Sequence, residues 1–190
     1  MEERVITLPH QGDVKLLYIT DTHFAATSPK SRKDNLSETG LQKMQEVVQL
    51  AVDHDVDAVL HGGDFFDKPD TTDLIAGKVA GIVKQFHVPL IVVPGGHDLF
   101  GNNIRGLART KLGFFQKAGL VDLLIHPTSN QIILKNKNIA VQLTGTASHY
   151  QIDYENITED YCLSHKNADF AIHTVHGMLM PKPFIPQAAH

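Results

Sequence analysis

Three short apolar runs, each ending at Asp, Gly or Pro, constrain the fold of this chain most strongly. They are residues 15–20 (KLLYIT), 57–60 (DAVL) and 90–93 (LIVV). Nearly continuous runs of this kind are typical of parallel strands that are buried on both faces. Between and after them, in 41–51, 75–86 and 104–118, apolar residues recur every three or four positions, which predicts amphipathic helices. Residues 13–120 therefore predict consecutive βα units with right-handed crossovers.

The second half of the chain has a different pattern, which predicts a second sheet. Short β-type runs occupy 120–125, 131–134, 139–144 and 170–175, and the Asn-Lys-Asn sequence at 136–138 is typical of a hairpin turn. The sequence therefore predicts a layered α/β fold. A length of 190 residues fits one domain over residues 1–190.

Charge and cysteine content exclude several classes of protein. The formal net charge of -4 provides no global basic field that would attract nucleic acid or a membrane, so any phosphate must be bound locally. A single cysteine, Cys162, suits a reducing compartment, and the acidic start does not resemble a signal peptide. The apolar runs are far too short to cross a bilayer. We expect a cytoplasmic protein.

Acidic and imidazole side chains stand where the predicted strands end. They lie in the segments DTH (21–23), GGDFFD (62–67), PGGHD (94–98) and HTVHG (173–177). Ligands of open α/β sheets bind beyond the carboxyl ends of the strands, so these groups should converge. Carboxylates with imidazoles suit Mn²⁺, Fe or Zn²⁺, and a pair of such ions is a clamp for phosphoryl transfer. Asp64, after two glycines, is the candidate bridge, whereas Asp21 and His23 would chelate one ion from an extended segment.

The order of these motifs resembles the calcineurin-like metallophosphoesterase family over residues 13–180. The motifs are D-x-H at 21–23, G-D-x-x-D at 63–67, G-x-H-D at 95–98 and a late histidine at a strand end, His176. The segments HGGDFFD, SRKD and HGMLMPKPF are most similar to SbcD-type DNA repair nucleases. The resemblance implies an α/β/β/α sandwich and two divalent ions, of which Mn²⁺ is the first choice and Fe, Zn²⁺ and Mg²⁺ are alternatives.

The same resemblance implies a role for each matching residue. One metal would be held by Asp21 and His23, the other by His176, and Asp64 would bridge them. His97 would be the general acid, Asp98 would orient its ring, and a hydroxide activated by both metals would attack the phosphorus atom.

Two departures from the family pattern bear on the second metal. Gly96 stands where the family has an asparagine ligand, and the family's final G-H-x-H element is absent, which removes two further ligands. We therefore expect a C-terminally incomplete sandwich and a weak or empty second metal site. A homodimer that shares ligands could restore the site, although nothing in the sequence requires one.

Four further residues have two interpretations or a supporting role. Arg32 and Lys33 follow the first motif and either contact substrate phosphates or belong to a solvated loop, and His149 either lines the substrate pocket or is solvated. Asp67 is expected to hydrogen-bond a ligand rather than bind metal itself. Odd spacing from the motif residues assigns His61 and His173 to structural roles.

These features predict a metal-dependent phosphodiesterase, nuclease-like on DNA, with an SMC-like ATPase partner implied by the resemblance. Two alternatives stay open. One is a phosphodiesterase acting on small molecules or nucleotides, and the other is a catalytically impaired scaffold with the same fold.

Overall fold

The computed structural model describes residues 2–28, 30–148 and 165–177. Its elements follow one another along the chain as two β-strands, then alternating helices and strands, then three further strands. The strands are β1 (Glu2–Thr7), β2 (Leu16–Ile19), β3 (Ala58–His61), β4 (Leu90–Val92), β5 (Asp122–Leu123), β6 (Asn130–Lys135), β7 (Ala140–Thr146) and β8 (Phe170–Val175), and the α-helices are α1 (Leu36–Asp53), α2 (Asp73–Val83) and α3 (Lys111–Lys117).

The strands form two four-stranded sheets. The first sheet has the order β2-β3-β4-β5 and is entirely parallel, as the alternation of strands and helices predicts for β2, β3 and β4. The assignment of 120–125 to the second sheet is wrong, because β5 pairs with β4. The second sheet has the order β1-β6-β7-β8, with β6 and β7 antiparallel and the other two pairs parallel. The Asn136 side chain accepts the amides of Asn138 and Ile139, which closes the predicted hairpin between β6 and β7.

Alternate residues of the first sheet enter two different cores. Val59 and Val92 face a cluster with Met44 of α1, Val79 of α2 and Phe115 of α3. Their strand neighbours face the second sheet, and this inner cluster includes Ala58, Leu60, Ile91, Leu134 and Leu143. Burial on both faces explains why these strands have continuous rather than alternating apolar sequences.

The predicted layered α/β sandwich is therefore confirmed. The described helices pack on the first sheet. A helical layer was also expected on the outer face of the second sheet, and none of the helices within 2–28, 30–148 and 165–177 lies there. The helix predicted over 104–118 divides into a 3-10 helix, Ile104–Arg109, and α3, because the Thr110 side chain caps the Gly113 amide and starts a new helix. Strand β1 was not predicted from the sequence.

Candidate metal centre

The carboxyl ends of β2, β3 and β4 meet the end of β8 at one edge of the two sheets. Asp21 and Asp64 lie in the loops after β2 and β3, His97 follows β4, and His176 is the first residue after β8. Since β8 belongs to the second sheet, the group of side chains spans the gap between the sheets. Sequence reasoning placed these residues at one rim, and the structure brings them together.

Left-handed backbone conformations shape the two acidic loops. Asp21, His23 and Asp64 have φ angles of 54°, 42° and 53°. The amides of Asp21 and His23 donate to the carbonyls of Gly63 and Asp64, both at 3.0 Å, so the two loops run side by side. The expectation of an extended segment at 21–23 is therefore wrong, because pairing with the turning loop after β3 bends it. His23 Nε2 still lies 3.7 Å from Asp21 Oδ1.

Asp64 is the centre of the group. Its Oδ1 accepts the His97 amide at 2.8 Å, and its Oδ2 lies 3.3 Å from His176 Nε2 and 3.6 Å from His23 Nε2. Burial would raise the pKa of Asp64, but hydrogen bonds from the His176 ring and the His97 amide outweigh burial and lower it. The carboxylate is therefore held ionised.

His176 is oriented by two acceptors. Its Nδ1 lies 2.9 Å from the Gly62 carbonyl, which leaves Nε2 directed at Asp64. The hydrogen bond to Asp64 raises the pKa of His176 to about 9. Gly63, with φ 118°, packs against this ring so closely that a Cβ would overlap it, which explains the glycine at that position.

The ligand atoms form two groups that share Asp64. One group contains Asp21, Asp64 and His176, and the other contains His23, Asp64 and His97, with the atoms of each group within 4.8 Å of one another. Asp64 is the residue common to both groups, and its role as a bridge between two metals stays a prediction. The grouping differs from expectation in pairing Asp21 with His176 and in including His97.

Asp67, rather than Asp98, orients the ring of His97. His97 Nδ1 lies 2.8 Å from the Asp67 carbonyl and 4.0 Å from its Oδ1, and the ring contacts the His23 ring edge-on at 4.7 Å. Asp67 Oδ1 also lies 3.7 Å from His23 Nδ1. The supporting role of Asp67 stays a prediction. The expectation that Asp98 orients the His97 ring is wrong, because its oxygens bind backbone amides instead.

Asp98 instead fixes the backbone around the site. It is fully buried, and its oxygens accept the amides of Phe65, Phe66 and Gly95 at 3.0, 2.8 and 3.0 Å. It cannot reorient toward the rim without leaving these donors unpaired. Burial raises the pKa of the Asp98 carboxyl to about 6, although the three hydrogen bonds from backbone amides act to lower it.

His61 has a structural role, as its spacing from Asp64 predicts. The Gly63 amide donates to Nδ1 at 3.1 Å, so the ring proton is on Nε2 and donates to the Thr22 hydroxyl at 3.0 Å, which in turn donates to the Phe65 carbonyl. Burial lowers the pKa of His61 to about 3. His173 is likewise structural, since its ring nitrogens lie 2.8 Å from the Thr144 hydroxyl and 3.2 Å from the Thr146 hydroxyl.

The predicted substrate-binding residues are less closely tied to this group. Arg32 forms two hydrogen bonds with Asp34, at 2.9 and 2.8 Å, and this pairing holds the pKa of Asp34 well below its usual range. Lys33 is exposed in the same loop. His149 lies outside the described residues.

Sequence reasoning missed Thr20, whose hydroxyl donates to Asp21 Oδ2 at 2.6 Å. The hydroxyl orients the most exposed carboxylate of the group. The sequence indicates this contact only through the position of Thr20 directly before the D-x-H motif. That position predicts a hydrogen bond to Asp21 only when the turn of the loop at Asp21 is known.

Comparison with known proteins identifies the family. The family model described as calcineurin-like phosphoesterase matches residues 14–179. The chain belongs to this family. Divalent-metal use in the family agrees with the two groups that share Asp64.

The chain is also similar to parts of DNA repair proteins. The chain is 31% identical to the DNA double-strand break repair protein Mre11 of Saccharolobus solfataricus over 45% of this chain and 23% of that protein. The match to the same-named protein of Haloferax volcanii is 26% identical and covers 88% of this chain and 35% of that protein. The chain thus spans about a third or less of these relatives' length.

A solved structure from Aquifex aeolicus, a protein of unknown function, matches 77% of this chain and 69% of its own chain with 16% identity and a TM-score of 0.35.

Among the helices of the described part of the chain, none is sufficiently long and apolar to span a membrane.

Proposed function

We propose that this chain is a metal-dependent phosphodiesterase that cleaves phosphodiester bonds in DNA. The observation that carries the proposal is the position of Asp64, whose carboxylate is common to both groups of candidate metal ligands. Family membership supports the reaction class, and the names of the relatives support DNA as the substrate.

The donor set fits a pair of divalent cations. Carboxylate oxygens and imidazole nitrogens together suit Mn²⁺, Fe and Zn²⁺ better than Mg²⁺ or Ca²⁺, which prefer oxygen alone. Asp21 and His176 would hold one cation with Asp64, and His23 would hold the other. When bound, such ions neutralise phosphate charge and activate water as a nucleophile. We choose Mn²⁺ as the first metal to test.

The chain's own groups prepare the site for this chemistry. The Asp64 carboxylate is kept ionised by the donors that surround it, and Thr20 holds Asp21 in position. His97 is half-exposed at the rim, and Asp67 accepts from its Nδ1, so a protonated ring could donate from Nε2 to a leaving oxygen. We propose His97 as the general acid.

One observation favours the alternative of a small phosphodiester substrate. The Arg32 guanidinium is already paired with Asp34, so the loop after β2 presents less free positive charge for a DNA backbone than its sequence suggests. The SMC-like ATPase partner, the homodimer and the cytoplasmic location stay predictions.

The test compares the full chain with Asp64→Asn under Mn²⁺. Asparagine can still accept the His97 amide, so the variant retains the fold while losing the shared charge. We expect the wild type to cleave labelled single- and double-stranded DNA, and the variant to be inactive. Turnover of bis-p-nitrophenyl phosphate without DNA cleavage would support the small-substrate alternative. Mn²⁺ binding without turnover of either substrate would support the scaffold alternative.

A further inference from the structure

The side chain of Asn102 fills the space in front of Gly96. A Cβ built on Gly96 would lie 2.9 Å from Asn102 Oδ1, 3.7 Å from its Cγ and 3.6 Å from Ser148 Oγ. An amide oxygen from another part of the chain thus lies where a side chain at position 96 would extend.

The residues on both sides of Gly96 contact the shared carboxylate. The residue after Gly96, His97, donates its amide to Asp64 Oδ1 at 2.8 Å. The residue before it, Gly95, packs directly against the Asp64 backbone and carboxylate. An oxygen in front of Gly96 is therefore one residue removed from the contacts that fix Asp64.

The loop after β4 is folded so as to present Asn102. Asn102 has a φ of 51° after Gly101 at 59°, and asparagine is one of the few residues that adopt this left-handed conformation readily. The side chain is half-buried, and no hydrogen bond joins it to a residue of 2–28, 30–148 or 165–177. Its amide oxygen is a hard, neutral donor of the kind that divalent cations accept.

We propose that the Asn102 amide oxygen is a ligand for a divalent cation bound at Asp64, and that it takes the place of a side chain at Gly96. The inference rests on the proposed function, because it requires a cation at this site. Glycine at position 96 is what makes the arrangement possible, since any Cβ there would press on the Asn102 amide. The two positions are therefore alternatives for one ligand.

Mn²⁺ titration by calorimetry tests the proposal without relying on turnover. Asn102→Gly removes the amide and tolerates the positive φ, so we expect Mn²⁺ affinity at the affected site to fall about tenfold or more while the metal-free melting temperature changes little. Asn102→Asp, which keeps an oxygen, should retain affinity. Gly96→Asn in the Asn102→Gly background should recover most of it, because the replacement amide then has room.

The outcomes separate this inference from the function on which it rests. If Asp64→Asn abolishes Mn²⁺ binding but Asn102→Gly leaves it unchanged, the Asn102 ligand is refuted and the metal centre stands. If the wild type binds no Mn²⁺, or Asp64→Asn binds as well as the wild type, the metal centre itself is refuted. A loss in Asn102→Gly that neither Asn102→Asp nor the double variant restores would assign Asn102 to loop structure and overturn the proposal.

Discussion

The Nε2 atom of His61 lies 3.0 Å from the Thr22 hydroxyl, and this contact joins the loop after β2 to the last residue of β3, which also accepts the Gly63 amide of the next loop. Both loops carry acidic residues with positive φ, a conformation that residues other than glycine adopt infrequently and that the surroundings must hold in place. The buried imidazole is therefore part of what holds Asp21 and Asp64 in one site.

We expect His61→Asn to lower the free energy of unfolding by about 2–4 kcal/mol at neutral pH. Asparagine can still accept the Gly63 amide, but it cannot reach Thr22 and it leaves a cavity. Urea unfolding measures the loss. His54→Asn, at an exposed position after α1, should change stability by less than about 0.5 kcal/mol.

The free energies of unfolding of wild type and His61→Asn should depend differently on pH. Because burial lowers the pKa of His61 from 6.5 to about 3, the unfolded chain takes up a proton between these pH values and the folded chain does not. The free energy of unfolding should thus fall in wild type as pH decreases from 6.5 toward 3, by up to about 1.4 kcal/mol per unit. His61→Asn has no imidazole at this position and does not lose stability in this way, so the difference in free energy of unfolding between wild type and His61→Asn should become smaller as the pH falls. A constant gap would show that His61 is protonated in the folded state.

Gly63→Ala should disturb His176 specifically. Its added Cβ would overlap the His176 ring and would force alanine to a φ of 118°. We expect a loss of about 2 kcal/mol or more, with weaker Mn²⁺ binding. Gly77→Ala is the matched control, since nothing lies within 4 Å of its Cβ inside α2, and it should stabilise by about 0.5–1 kcal/mol. Equal effects of the two substitutions on stability and on Mn²⁺ binding would show that position 63 has no special need for glycine beside His176.

Local patterns were sufficient to predict β2, β3 and β4 with helices α1 and α2, because these strands have nearly continuous apolar sequences. They assigned 120–125 to the second sheet, whereas β5 pairs with β4 in the first. Strand β1 escaped prediction because its sequence, EERVIT, is mostly exposed and its partner β6 is more than a hundred residues away. Pairing at that distance has no signature in a single sequence. The predicted helix over 104–118 failed similarly, since the cap formed by Thr110 interrupts an otherwise helical apolar pattern.

The candidate site was predictable as a set of residues but not as a set of contacts. Strand ends identified Asp21, Asp64 and His176. Which group orients His97 could not be predicted, because Asp98 is adjacent in sequence whereas Asp67 comes near only through the turn after β3. Positive φ at Asp21 and His23 likewise depends on the neighbouring loop.

Asp98→Asn should destabilise the loops rather than alter a proton transfer. The carboxylate accepts three buried amides, and the NH₂ group of asparagine would face donors on one side. We expect a loss of about 3 kcal/mol in urea unfolding. Asp70→Asn, at an exposed position, should have no measurable effect. A loss below about 0.5 kcal/mol for Asp98→Asn would contradict the buried role.

His97→Gln distinguishes a proton donor from a metal ligand. As general acid, His97 would be needed for a poor leaving group such as the sugar oxygen of DNA, and much less for p-nitrophenolate, which leaves without protonation. We expect kcat on DNA to fall about 10²–10⁴-fold, a much smaller decrease on bis-p-nitrophenyl phosphate, and an unchanged Mn²⁺ dissociation constant. His87→Gln, exposed at the opposite end of β4, should leave all three quantities unchanged. Equal losses on both substrates together with weaker Mn²⁺ binding would instead identify His97 as a metal ligand, in keeping with its closeness to His23 and Asp64.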